Sequence, residues 1–377
     1  MRILFVGKRH DENGVGIEKK MTGEINGFKE LGHEVSYIYA RENAIILKKH
    51  DGSEAVVHRY RENWISIYWA YEEGVKKVFD KYGTYFDMCY IRKTLCSPFH
   101  FSALKKIKKY GVKIIEEIPT YPYDDEMLKE KGIKSKIYFG IEVLGRRYLK
   151  KYVDFFTTFS EDKEIFGVKT ICISNGIDCN VIPLKQSQKK VGEDIRLITV
   201  STMQFWHGYD RLIAGLEKYY KNERQPINIF IDMVGDGIEC SNLKKQVEKA
   251  ELNKYVKFHG MKSGEELTDL YNQSDLGVSS LGLHRLGLDK AAPLKTREYI
   301  ARGIPVIYSG SDLNLKKGTS FSLNVPVSEE AIDMNEVIAF YNRSRKEDKL
   351  EQKMREFAEN TLTWKHQMAI VLNAVGD

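Results

Sequence analysis

Short apolar runs recur along this chain with room for a helix between each pair, and that alternation restricts the fold more than any other feature. Arg2-Ile3-Leu4-Phe5-Val6 reads as a buried parallel strand, followed by a loop over residues 7–16 and a helical stretch over residues 17–31. Gly32-His33 stops that helix, and residues 34–39 supply the next strand. Further strands are expected at residues 88–91, 112–116, 155–159 and 170–173, which implies a doubly wound parallel sheet. After a polar stretch at residues 185–194 the alternation restarts at residues 195–200. It continues through 227–234, 256–259, 276–279 and 305–307, so a second sheet of the same kind is expected. The expected organisation is therefore α/β, with two doubly wound Rossmann-like domains at residues 1–184 and 185–360. A C-terminal helix at 361–377, with Trp364 inside it, is free to return to the first domain. Ligands of such sheets bind beyond the carboxyl ends of the strands, so two facing domains would enclose a central cleft.

Composition narrows the function classes. At 377 residues the chain exceeds one ordinary core, and its 42% hydrophobic and 30% charged residues are those of an ordered globular protein. The longest apolar runs are too short to cross a bilayer, and residues 2–7 are too few for a signal sequence, so a cytoplasmic location is expected. Five cysteines without a CxxC pair suggest neither a disulfide framework nor zinc. A net charge of +6 is mild, and nucleic-acid signatures are absent from the sequence. Basic residues do concentrate between Leu104 and Tyr152, interleaved with Ile137, Leu144 and Tyr148. Such a segment suits peripheral association with an anionic membrane, or an amphipathic helix whose apolar face packs on the sheet.

The most informative segment runs from Pro293 to Ile307. It reads as a proline at a helix start, a short helix with Lys295 and Glu298 one turn apart, a glycine C-cap and a buried strand. A helix start beside a cleft binds anions: free N–H groups and Lys295 suit a diphosphate, and Glu298 suits ribose hydroxyls. An exposed Lys295 and Glu298 pair is the alternative. This stretch resembles the donor-binding motif of GT-B glycosyltransferases of family 4, in which a Lys-x-x-Glu-Tyr helix precedes Gly-x-Pro-Val. Trp206-His207-Gly208-Tyr209-Asp210-Arg211-Leu212-Ile213 resembles the family's Lys-Gly-x-Asp-x-Leu-Ile segment. Ser174-Asn175-Gly176-Ile177-Asp178 resembles its interdomain Pro-Asn-Gly-Val-Asp, and Gly32-His33-Glu34-Val35 its Gly-His-Glu-Val. Val234-Gly235-Asp236-Gly237 and Phe258-His259-Gly260 fall where the family has Gly-x-Gly and Phe-x-Gly.

The resemblance implies a retaining transfer of a sugar from a UDP- or GDP-linked donor to a saccharide or lipid-linked acceptor, in polysaccharide or glycoconjugate assembly. Lys295, Glu298 and His207 take the catalytic positions. Gly16, Ser201, Gly208, Gly235 and Leu294 join Lys295 and Glu298 around the donor. Gly14, Thr120 and Tyr121 are the acceptor-side candidates, Thr120 and Tyr121 lying in a loop stiffened by Pro119 and Pro122. No cofactor and no metal is implied, and the sequence contains no Asp-x-Asp. The chain departs from the family at Lys290, where a first glutamate is common, at Ser201-Thr202, where a Gly-Arg pair is common, and at His207, in place of a phosphate lysine. These departures keep two alternatives open: a non-catalytic GT-B partner or glycan-binding subunit, and a GT-B nucleotide-sugar epimerase. His10, His100 and His284 show no metal-ligand spacing.

Overall fold

The computed structural model of the chain describes residues 1–10, 17–61, 64–129, 132–186, 194–221, 227–288, 290–316 and 318–376. They form two compact units, Met1–Gly176 with Trp364–Asp377, and Ile177–Thr363. The strands of the first are β1 (Arg2–His10), β2 (Glu34–Arg41), β3 (Ala44–Lys48), β4 (Glu54–Arg59), β5 (Met88–Arg92), β6 (Lys113–Ile118), β7 (Phe155–Thr158), β8 (Glu164–Ile165) and β9 (Val168–Cys172). Those of the second are β10 (Ile195–Val200), β11 (Ile229–Val234), β12 (Val256–Gly260), β13 (Leu276–Val278), β14 (Val306–Ser309) and β15 (Ser322–Val325). The helices are α1 (Ile17–Glu30), α2 (Trp64–Tyr82), α3 (Pro98–Lys108), α4 (Asp124–Lys129), α5 (Ile133–Arg146), α6 (Tyr209–Tyr220), α7 (Cys240–Lys249), α8 (Gly264–Gln273), α9 (Leu294–Ala301), α10 (Met334–Ser344), α11 (Leu350–Thr361) and α12 (Trp364–Gly376).

In the first unit the sheet order is β4-β3-β2-β1-β5-β6-β7-β9-β8. Strand β1 is parallel to both β2 and β5, which makes the β1–β5 gap the point where the winding reverses. Its alternation explains why it sits centrally: Leu4 and Val6 join the core on one side, Ile3 and Phe5 the core on the other. Antiparallel β3 and β4 extend the sheet beyond the expected strands, joined through Asp51-Gly52, where Gly52 has a φ of +85°. Helix α12 packs on α1 in this unit. A Cβ on Gly23 of α1 would lie 2.1 Å from Trp364 Nε1, so the missing side chain makes the seat for that ring.

The second unit's sheet runs β12-β11-β10-β13-β14-β15, all parallel, with α6, α7 and α10 over one face and α9 and α11 over the other. The division between the units falls at Gly176, earlier than the polar stretch that marked it in the sequence. Residues 177–186 belong to the second unit because their backbone is held there. Ile177 N–H donates to the Leu362 carbonyl at 2.7 Å, Arg355 Nη1 to the Ile182 carbonyl at 2.7 Å, and Lys185 N–H to the Arg302 carbonyl at 2.8 Å.

Gly235, just after β11, carries a φ of +117°, and a Cβ there would stand 1.9 Å from the Ser201 carbonyl oxygen. Gly235→Ala is therefore expected to destabilise the protein by roughly 2–4 kcal/mol, since strain and a backbone clash add. A denaturation midpoint equal to that of the parent chain would disprove this.

Candidate active site

The winding of the second unit reverses between β10 and β13, and the loops beyond their carboxyl ends carry the polar side chains that sequence reasoning singled out. After β10 the chain passes Ser201 and a short 3-10 turn, Phe205–His207, and enters α6 through Gly208. After β13 it reaches α9, an eight-residue helix opening at Leu294 behind Pro293, with no side chain capping it. Thr296 holds that first turn to the sheet, its hydroxyl 2.6 Å from that of Ser279.

Lys295 reaches from α9 to α6: its Nζ donates to the Tyr209 hydroxyl at 3.0 Å and stands 5.3 Å from the centre of that ring. The same hydroxyl is 3.1 Å from Ser201 Oγ. Burial pushes Lys295 down to about 7, and no carboxylate among the described residues counters it. His207 stacks on Tyr209 at 5.4 Å. Burial, then the neighbouring Lys295 charge, push His207 down to about 2, so the ring is neutral. Its Nδ1 accepts the Gln204 N–H at 3.2 Å, which leaves the proton on Nε2 as a donor. Ser201, His207, Tyr209 and Lys295 thus form one cluster that offers hydrogen-bond donors and a cation but no negative charge.

The exposed Lys295 and Glu298 pair that the helix spacing allowed does not form. Glu298 Oε1 instead accepts from Arg302 at 3.0 and 3.1 Å, and the Arg302 guanidinium lies over the Tyr271 ring at 4.1 Å. Lys290 is exposed in the loop before α9, bridged to Ser311. Asp210 and Glu329 hold Arg285 at 2.7 and 2.5 Å, fastening the loop after β13 to the start of α6. Tyr209, the residue that joins the cluster, was not picked out from the sequence, although it stands next to Gly208.

Gly14 and Gly16 lie outside the described residues, as does the side chain of His10. Thr120 and Tyr121 follow β6, half-buried, with Tyr121 edge-on to Tyr123 and Phe166 at 6.5 and 6.0 Å. Nearby carboxylates serve the first unit's own structure. Glu116 bonds His100 at 2.6 Å, Glu117 pairs with Arg92 at 3.0 Å and with Lys20, and Asp124 at the start of α4 holds Arg146 at 2.7 Å. His284 is paired with Glu329 at 2.6 Å. Among the described residues no three His, Cys, Asp or Glu side chains are grouped to hold a metal ion.

Residues 182–316, the stretch that carries this cluster, match the family model described as glycosyl transferases group 1. The second unit is thus similar to glycosyl transferases of group 1. Solved structures agree with that in fold. Sucrose-phosphate synthase from Thermosynechococcus elongatus superposes with a TM-score of 0.66 at 14% identity, over 100% of this chain and 97% of the other. A glycosyltransferase from Rickettsia africae gives 0.65 at 17%, over 99% and 97%. Anabaena HepE in complex with UDP-glucose gives 0.60 at 14%, over all of both chains. No curated protein matches the chain in sequence. The fold of the chain is GT-B, and the group 1 match falls on its second unit.

Proposed function

We propose that the protein is a glycosyltransferase that binds the diphosphate of a UDP- or GDP-linked sugar at the β10–β13 switch point and transfers the sugar, with retention, to a saccharide or lipid-linked acceptor hydroxyl. One observation carries this reading: Lys295 Nζ, half-buried beside the start of α9 and donating to the Tyr209 hydroxyl at 3.0 Å, has no anionic partner among the described residues. A cation partly withdrawn from water is favoured by a counter-charge, and a diphosphate at the start of α9 supplies one. The structure of Anabaena HepE contains UDP-glucose in the same fold.

In the reaction the anomeric C–O bond to the diphosphate breaks and a new bond forms to the acceptor oxygen on the same face. The acceptor proton passes to the departing phosphate oxygen. Negative charge then grows on the diphosphate, where the Lys295 ammonium, the neutral His207 Nε2–H and the free N–H groups opening α9 stabilise it. Ser201, Gly208 and Gly235 shape the backbone beside the phosphates. Glu298 receives ribose hydroxyls on the carboxylate oxygen that Arg302 leaves open. Thr120 and Tyr121 face the acceptor.

Melting curves with and without UDP and GDP test the donor site, and a rise with at least one is expected. A non-catalytic subunit without a donor site shows no rise, and an epimerase alters its nucleotide sugar without an acceptor. Glu298→Ala is expected to cut turnover by at least about tenfold with the melting temperature little changed. Transfer is also expected to persist in excess chelator, because Lys295, His207 and the helix N–H groups take the place of a metal. Loss of activity restored by magnesium would refute that part.

We also propose that α5 rests on an anionic membrane. This helix buries Ser135 and Glu142 and exposes Ile133, Ile137 and Leu144, and exposed Tyr148 follows it, with Lys134, Lys136, Arg147 and Lys151 exposed around them.

A further inference from the structure

The first unit has its own switch point, between β1 and β5, and a cavity of about 20 Å³ opens there, lined by Gly7, Tyr71, Glu72, Arg92, Thr94 and His100 among others. A space of that size holds one water or one hydroxyl and no ring. Glu72, on α2, is 5% exposed, and its Oε2 has no hydrogen-bond partner among the described residues. Its Oε1 accepts the Thr94 hydroxyl at 3.2 Å. That direction fixes the rest of a chain. Thr94 Oγ1, its only proton spent on Glu72, accepts from His100 Nδ1 at 3.3 Å, and His100 Nε2 shares a proton with Glu116 at 2.6 Å. All the protons in this chain are used internally, and among the described residues the two open positions are acceptors, Glu72 Oε2 and Glu116 Oε2, of which only Glu72 belongs to a residue lining the cavity.

A buried carboxylate oxygen left without a donor is costly, so the cavity is built for a group that brings one. Arg92 and Lys8 line the same cavity, which disfavours an ammonium there. Arg92 is itself held by Glu117 at 3.0 Å. A neutral hydroxyl fits both conditions. The geometry points to Glu72 as the residue that seats one non-reacting hydroxyl of the acceptor sugar. This rests on the reading that the first unit takes a saccharide acceptor. Glu72 is a binding and specificity residue, ranking acceptors by whether they carry a hydroxyl at the position that enters the cavity.

Saturation-transfer NMR on the full chain tests this, with methyl α-D-glucopyranoside, methyl α-D-galactopyranoside and methyl α-D-mannopyranoside as probes. At least one glycoside is expected to show transfer with the parent protein. The signal should fall by at least about fivefold in Glu72→Gln, which replaces a carboxylate acceptor by an amide, and in Thr94→Val, which removes the proton that orients Glu72. No signal from any glycoside, or signals undiminished in both variants, overturns the assignment and leaves the cavity a water site. UDP and GDP melting shifts recorded on the same three proteins report separately on the second unit. Their absence overturns the donor reading while the glycoside result stands.

Discussion

Replacing Lys295 by methionine is expected to lower sugar transfer by at least about tenfold, remove the melting shift caused by nucleotide diphosphate, and raise the melting temperature of the ligand-free protein at pH 7. The first two effects follow from losing a cation of the proposed donor site that has no anionic partner among the described residues. The third follows from linkage. The Lys295 amine is pushed down to about 7 by burial, against an unfolded value near 10.5. Between those values the unfolded chain holds more protons than the folded one, so stability rises with pH through this window, and the cost of the buried ammonium is fully present below about pH 7. Methionine removes that cost and keeps the volume. A bound diphosphate does the opposite, drawing the proton back onto Lys295. Calorimetric titration of UDP or GDP at pH 8 in Hepes and in Tris should therefore show proton uptake by the parent protein and none by Lys295→Met. Equal apparent enthalpies in the two buffers for the parent protein would refute the assignment of Lys295 to the phosphates.

The segment proposed as the donor site was legible in the sequence as a helix because its parts are local. A proline, a Lys-x-x-Glu helix and a glycine stop are read within fifteen residues, and the structure places α9 where that spacing puts it. What closes the site is not local. Tyr209 meets Lys295 across 86 positions, and no periodicity signals a tyrosine that joins a lysine from another helix. The alternative that paired Glu298 with Lys295 overlooked Arg302, four positions on, which takes the same carboxylate. In the fold, the central strands announced themselves by apolar runs, whereas β3 and β4 carry a turn signal, Asp51-Gly52, that was passed over. The division at Gly176 was masked because residues 177–186 are tied to the second unit by backbone bonds to residues 302, 355 and 362. Helix α5 misled periodicity altogether. The usual assumption sends its apolar stripe to the sheet, but Ser135 and Glu142 are the buried residues, and Glu142 is satisfied by Lys93 and the Tyr123 hydroxyl, both at 2.6 Å, and by the Cys96 N–H at 2.8 Å. A carboxylate with that many donors can face inward, and the apolar residues are left outside.

That inversion sets the second large expected effect: the protein should sediment with phosphatidylglycerol-containing vesicles at low salt, and lose this when the α5 surface is changed. Ile133 is 79% exposed and Leu144 61%, and neither contributes to a core of the first unit. Exposed Ile133, Ile137 and Leu144 share one face of α5, exposed Tyr148 follows the helix, and Lys134, Lys136, Arg147 and Lys151 stand around them. An anionic leaflet rewards both sets, at about 1 kcal/mol per cation near the surface, so reversing four charges should weaken binding far more than tenfold. Arg146 is left out of the set. It is held by Asp124 at 2.7 Å and lies over the Phe166 ring at 4.7 Å, so its loss would disturb the fold and not the surface. Replacing Lys134, Lys136, Arg147 and Lys151 by glutamate tests the charges, and Ile137→Asp with Leu144→Asp tests the apolar face. Both proteins should keep the parent melting temperature within a few degrees and fail to sediment. Charge-reversed protein that still binds, or parent protein that stays in the supernatant with anionic vesicles at low salt, would show that α5 meets no membrane.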